Sequence, residues 1–217
     1  MKDYGLYIVT DSNILDGRDF YECIEDALRG GVKTIQLREK YATGAEFLQK
    51  AIKLRKLTKK YNAMFIVNDR VDIAMISNAD GIHVGQSDIP VSYVKSIVGN
   101  DMVVGVSVSN VEEAKTAKLN GADYIGVGAM FNTTTKSDAK SVSIEELKNI
   151  RKKVGIPIVV IGGIQLDNIA SLIACDVQGY AVISAILGKD NIHDECIKWI
   201  HKIKTPSTGG RSLMELI

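Results

Sequence analysis

The chain has 217 residues, enough for one domain with a large core though slightly short for an α/β barrel. Hydrophobic residues make up 46% and charged residues 24%, and 27 Lys and Arg stand against 26 Asp and Glu for a net charge of +1, which argues against a nucleic-acid or polyanion surface. Three cysteines, Cys23, Cys175 and Cys196, are too few and too scattered for a disulfide framework or a zinc site.

The first apolar run, Leu6–Thr10, is far too short to span a bilayer, and no signal-peptide pattern precedes it. A cytoplasmic protein with neither membrane nor nucleic-acid partners is therefore expected. A helical stretch holding Cys23 ends in the turn signal Gly30-Gly31, and a second run follows at Thr34–Leu37. Next, Phe47, Leu48, Ala51, Leu54 and Thr58 mark one face of a helix, with Lys50, Lys53, Lys56 and Lys60 on the other. Short apolar runs then recur at Met64–Val67, Gly81–Val84, Val103–Val106, Tyr124–Val127, Pro157–Ile161 and Tyr180–Ile183. Helical patterns lie between them, clearest in Ile144, Leu147, Ile150 and Val154. Ile192, Cys196, Trp199, Ile200 and Ile203 mark a last helix, and His193 and His201 in it read as surface residues.

Nearly continuous apolarity marks the runs as buried parallel strands. Eight closely spaced β-then-α units without a linker predict a single (β/α)8 TIM barrel over residues 1–203, with an open doubly wound sheet as the competing topology. Residues 204–217, "KTPSTGGRSLMELI", read as a C-terminal tail, flexible or appended to the barrel.

Active sites in such barrels are built at the C-terminal ends of the strands. Run two is followed by Arg38 and Lys40, two residues apart and so on one face of an extended chain. After run three come Asn68, Asp69 and Arg70; run four leads through "HVGQSD" to Asp88; run five gives Ser107. Asp69 and Asp88 follow neighbouring strands, about 5 Å apart in the ladder direction. Two carboxylates that close call for a proton or cation between them, and Mg²⁺ completed by phosphate oxygens is a common solution. With Arg38, Lys40 and Lys136, such a metal demands a highly charged anion such as a diphosphate. Taken singly, an Asp after a strand is more often a helix cap and a loop Lys is more often solvated. Gly162-Gly163 and Ser184-Ala185, after runs seven and eight, match the recurrent phosphate site of these barrels, a tight turn being the plainer reading of Gly-Gly alone. Two phosphorylated small-molecule substrates fit this pattern better than one. No Ser/His/Asp set is evident, and His83, within run four, reads as structural.

The motifs "QLREK" (36–40), "VNDR" (67–70), "ADGIHVGQSD" (79–88), "GVSV" (105–108), "GADYIGVGAMFNTTTK" (121–136), "IGGI" (161–164) and "VISAI" (182–186) stand in an order that resembles the thiamine phosphate synthase family. The resemblance runs from residue 6 to about 203, with Ala129 standing where many members carry proline. It implies a transferase of thiamine biosynthesis. The reaction joins 4-amino-2-methyl-5-hydroxymethylpyrimidine diphosphate to 4-methyl-5-(2-phosphooxyethyl)thiazole, giving thiamine phosphate and diphosphate through a pyrimidine-methyl cation. By matching positions, Gln36, Leu37, Arg38, Glu39, Lys40, Asn68, Ser107 and Lys136 would hold the pyrimidine diphosphate. Among these, Arg38, Lys40, Lys136 and Ser107 would be catalytic, while Glu39 points the opposite way along the strand and suits a structural role. Asp69 and Asp88 would hold one Mg²⁺ ion per active site, and Thr133, Thr134, Thr135, Gly163, Ile183 and Ser184 the thiazole phosphate. The loop Asn132–Val142, "NTTTKSDAKSV", has Ala139 as its one apolar residue before Val142 and is expected to act as a lid. The rival readings are a thiazole tautomerase of a related barrel and a non-catalytic thiamine phosphate sensor. A homo-oligomer is left open.

Overall fold

The computed structural model describes residues 1–133 and 140–205. Eight parallel strands close into a ring: β1 (Gly5–Val9), β2 (Thr34–Leu37), β3 (Met64–Asn68), β4 (Gly81–Val84), β5 (Val103–Val108), β6 (Tyr124–Val127), β7 (Ile158–Ile161) and β8 (Gly179–Val182). Each strand pairs with its sequence neighbours, and β1 pairs with β8 to shut the barrel. The competing open sheet is thereby ruled out. The eight apolar runs all become strands, three with the expected ends and five with an end shifted by one or two residues.

Helices α1 (Phe20–Arg29), α2 (Gly44–Lys60), α3 (Val71–Ile76), α4 (Val91–Val98), α5 (Val111–Leu119), α6 (Ile144–Lys153), α7 (Ala170–Ile173), α8 (Ser184–Leu187) and α9 (Ile192–Lys204) follow the strands. Several starts are fixed by side chains that satisfy free backbone donors. Asp19 accepts from the Tyr21 and Glu22 N–H groups ahead of α1. Thr43 and Glu46 form a reciprocal capping box on α2. Asn110, Ser143 and Asn191 cap α5, α6 and α9. Gly31 and Gly121 take positive φ just past α1 and α5, as the turn signals there require. The last helix reaches Lys204, one residue beyond the expected barrel boundary, and the tail from 206 onward lies outside the described residues.

Alternation along the strands divides the core in two. Outward side chains such as Ile8, Leu37, Val67, Ile82 and Val160 pack with the helices, among them the buried Cys23, Cys196 and Trp199. A smaller cluster fills the barrel itself: Tyr4, Tyr7, Val9, Ile66, Tyr124, Val159 and Ala181. Among the described residues no helix is long and apolar enough to cross a membrane.

Candidate active site

One cavity of about 540 Å³ opens over the C-terminal ends of the strands. Gln36, Arg38, Lys40, Asn68, Asp69, Asp88, Ser107, Thr133, Gly163, Ile183 and Ser184 all line it. Eleven residues singled out in the sequence therefore meet, although they come from seven different strand ends. Thr134, Thr135 and Lys136, with the centre of the expected lid, lie outside the described residues.

Two of the expected ligand residues point elsewhere. Leu37 is fully buried in the core between barrel and helices, so its side chain does not line the cavity. Glu39 also turns outward. Its carboxylate accepts from Ser12 Oγ at 2.7 Å and from Lys50 Nζ at 2.9 Å. The cause is the two-residue period of extended chain, which sends Arg38 and Lys40 one way and Leu37 and Glu39 the other. Thr10, itself buried, holds this segment in place: its Oγ1 accepts from the Arg38 N–H at 2.9 Å. Among the described residues neither the Arg38 guanidinium nor the Lys40 ammonium has a carboxylate partner, so both charges are available to a bound anion.

The two carboxylates are held differently. Asp69 sits at φ 62°, with its N–H donating to the His83 carbonyl at 2.9 Å and the Asn68 amide donating to its carboxylate. One oxygen of Asp88 accepts from the Gly85 N–H at 2.7 Å, which folds the "GQSD" turn back on itself. Among the described residues no group of three or more His, Cys, Asp or Glu side chains is placed to hold a metal. Two carboxylates without a third ligand or an imidazole match a hard cation that takes the rest of its shell from water and phosphate. The donor set thus fits Mg²⁺ and fits a closed transition-metal site poorly.

The opposite wall is backbone. Gly162 and Gly163 have φ of 99° and 64° after β7. They let the segment after β6 come close: Met130 N–H donates to the Ile161 carbonyl at 3.0 Å and Phe131 N–H to the Gly162 carbonyl at 2.9 Å. Among the described residues no backbone carbonyl accepts from the N–H of Gly163, Ile164, Ser184 or Ala185. Free donors beside a cavity suit phosphate oxygens.

The cavity floor holds residues that the sequence reading passed over. Tyr7 and Tyr124 stand in apolar runs, where an aromatic ring reads as core, yet both line the cavity. Their hydroxyls lie 3.1 Å apart. Gln36 Nε2 donates to Tyr7 Oη at 2.7 Å, and His83 bridges Tyr124 (Nδ1, 2.9 Å) and Ser107 (Nε2, 2.9 Å). Burial raises the hydroxyl pKa of both tyrosines above the ordinary value, so they remain neutral donors. Gln86, which donates to the Ser107 carbonyl at 2.6 Å, and Lys140 also line the cavity and were not singled out as site residues in the sequence.

Comparison with known proteins identifies the family. Residues 6–186 match the family model described as thiamine monophosphate synthase. The thiamine-phosphate synthase of Clostridioides difficile is 58% identical over 202 residues, 93% of this chain and 96% of that protein. That of Alkaliphilus oremlandii is 51% identical, over 88% of this chain and 92% of its own. The solved thiamine phosphate pyrophosphorylase from Pyrococcus furiosus superposes with a TM-score of 0.85 at 36% identity, covering 93% of this chain and 98% of that one. With its closed barrel and the strand-end residues gathered in one cavity, the chain belongs to the thiamine monophosphate synthase family, a family of transferases.

Proposed function

We propose that the chain condenses 4-amino-2-methyl-5-hydroxymethylpyrimidine diphosphate with 4-methyl-5-(2-phosphooxyethyl)thiazole, releasing thiamine phosphate and diphosphate. The observation that carries this reading is the two-poled cavity. Arg38, Lys40, Asp69 and Asp88 stand at the β2–β4 side, and the free backbone donors of Gly163 and Ser184 stand at the β7–β8 side. A diphosphate and a monophosphate would each find a suitable wall.

In this mechanism the bond from the pyrimidine methylene carbon to the diphosphate oxygen breaks first. Negative charge grows on the leaving group, and Arg38, Lys40 and Lys136 stabilise it more than they stabilise the ground state. Asp69 and Asp88 would hold a Mg²⁺ ion, which would supply further neutralisation of the phosphate oxygens. Gln36, Asn68 and Ser107 hold and orient the pyrimidine half. Thr133, Thr134, Thr135, Gly163, Ile183 and Ser184 hold the thiazole phosphate so that the ring nitrogen faces the cationic carbon. The nitrogen becomes quaternary and loses no proton, so the reaction needs no general base.

The test is a turnover assay with both substrates and Mg²⁺. Thiamine phosphate and diphosphate should form in equal amounts. Isomerisation of a thiazole carboxylate without condensation, or ligand binding without turnover, would overturn the proposal.

A further inference from the structure

The polar chain across the barrel floor runs Gln36, Tyr7, Tyr124, His83, Ser107, through strands β2, β1, β6, β4 and β5. Each hydroxyl carries one hydrogen, so the chain has a direction. Gln36 Nε2 donates to Tyr7 Oη, and Tyr7 is 1% exposed. Among the described residues the acceptor left for the Tyr7 hydrogen is Tyr124 Oη. Tyr124, fully buried, then donates to His83 Nδ1, which places the imidazole proton on Nε2. Nε2–H donates to Ser107 Oγ, and the serine hydrogen is left to point into the cavity. Reversed with the Gln36 amide oriented as it is, the Tyr7 hydrogen would be buried facing an N–H donor, a loss on the order of 1–3 kcal/mol.

Barrel packing is adapted to this chain. Gly105 stands opposite Tyr124 in the ladder, and a Cβ there would lie 2.1 Å from the phenol ring. At Gly126 a Cβ would lie 2.9 Å from the His83 ring. Two inward positions thus carry no side chain where the phenol and imidazole rings pass.

We infer that Tyr7, Tyr124 and His83 are positioning residues that fix Gln36 as a hydrogen-bond acceptor and Ser107 as a donor toward the substrate. With Nε2 committed to Tyr7, the Gln36 carbonyl is the end left for the cavity. An acceptor and a donor together are the complement of a 4-aminopyrimidine edge, which offers an amino donor beside a ring-nitrogen acceptor. The substrate half of this inference rests on the proposed function; the direction of the chain does not.

Long-range ¹H–¹⁵N correlation of histidine-labelled protein reads the direction, with the His83 signals assigned by loss in His83→Gln. Wild type should carry the His83 proton on Nε2. Gln36→Glu offers Tyr7 only acceptors, so every bond should reverse and the proton should move to Nδ1. Adding Tyr124→Phe should abolish that response, because the link is cut. A wild-type proton on Nδ1, or an unchanged tautomer in Gln36→Glu, overturns the inference. In kinetics, Tyr7→Phe should raise KM for the pyrimidine diphosphate about 5–10-fold and leave KM for the thiazole phosphate within about twofold. Equal rises would mean a structural role only. If wild type makes no product, the proposed function has failed, and the tautomer measurement still decides the chain.

Discussion

At Glu39 the two-residue period of a strand separates binding from bracing. Its neighbours Arg38 and Lys40 face the cavity, while its own carboxylate, 8% exposed, holds Lys50 of α2 and Ser12. Glu39→Gln should therefore lower stability by about 1–2 kcal/mol with little change in kcat. Lys40→Ala should leave stability alone and cut kcat. Chemical denaturation and steady-state rates on the two variants make the comparison; a matching loss of kcat in Glu39→Gln would show that the outward reading is mistaken. Asp69→Asn and Asp88→Asn should each reduce kcat by about 10²–10³ with the fold intact. Full activity of both variants in EDTA would remove the metal from the proposal. Charged residues at strand ends were legible only jointly: each alone reads as a cap or a solvated side chain, but a barrel turns all its strand ends toward one opening. Tyr7, Tyr124 and the linking role of His83 were not, since nothing local distinguishes a ring packed in hydrocarbon from one whose hydroxyl is bonded across the barrel.

The strands are the elements that the sequence displays most clearly, because burial on both faces leaves no polar alternation to confuse the pattern. Short helices are harder. The four-residue α7 and α8 are too brief for a helical period to emerge. The Gly162-Gly163 turn was legible as a turn, but its close approach to the segment after β6 was not. A Cβ at Gly163 would meet the Asn132 carbonyl oxygen at 2.4 Å and the Phe131 carbonyl carbon at 2.8 Å. Gly163→Ala should thus push back the segment that leads into Thr133, besides straining a left-handed residue by about 1 kcal/mol. KM for the thiazole phosphate should rise more than KM for the pyrimidine diphosphate. If the two constants rise together, this wall does not belong to the thiazole half. Ala129, where the family pattern favours proline, uses the N–H that proline would lack: it donates to the Lys140 carbonyl at 2.9 Å, and Val142 N–H returns to the Ala129 carbonyl at 2.8 Å.

For the whole molecule, the eight-unit beat made the closed barrel readable, whereas its inner polar floor depends on which strands become neighbours across the ring. The buried weak acids make a prediction at this scale. Burial pushes the Cys196 thiol from 9.0 and the Tyr180 hydroxyl from 10.0 each up to about 12, and it raises Tyr4, Tyr7 and Tyr124 as well. All are neutral when protonated and hold their protons more tightly folded than unfolded. Their contribution is fully present below the unfolded values and is lost as pH rises through the folded ones. Urea midpoints should be level up to about pH 9 on this account and fall steadily toward pH 12. A midpoint that stays level to pH 12 would show that these groups titrate alike in both states.

Ring closure also sets an order of assembly. Strand β1 finds β2 early, but its other neighbour, β8, leaves the ribosome after the seven other strands. Until then a nascent chain that has reached β7 carries two unpaired sheet edges, one at each end of the curved sheet. Tyr7 lies on one of those edges, and Ser184 has yet to be synthesised. The wall of Arg38, Lys40, Asp69 and Asp88 can therefore take shape on a partly made chain, while the wall that includes Ser184 and a closed barrel floor arrive together with the final strand.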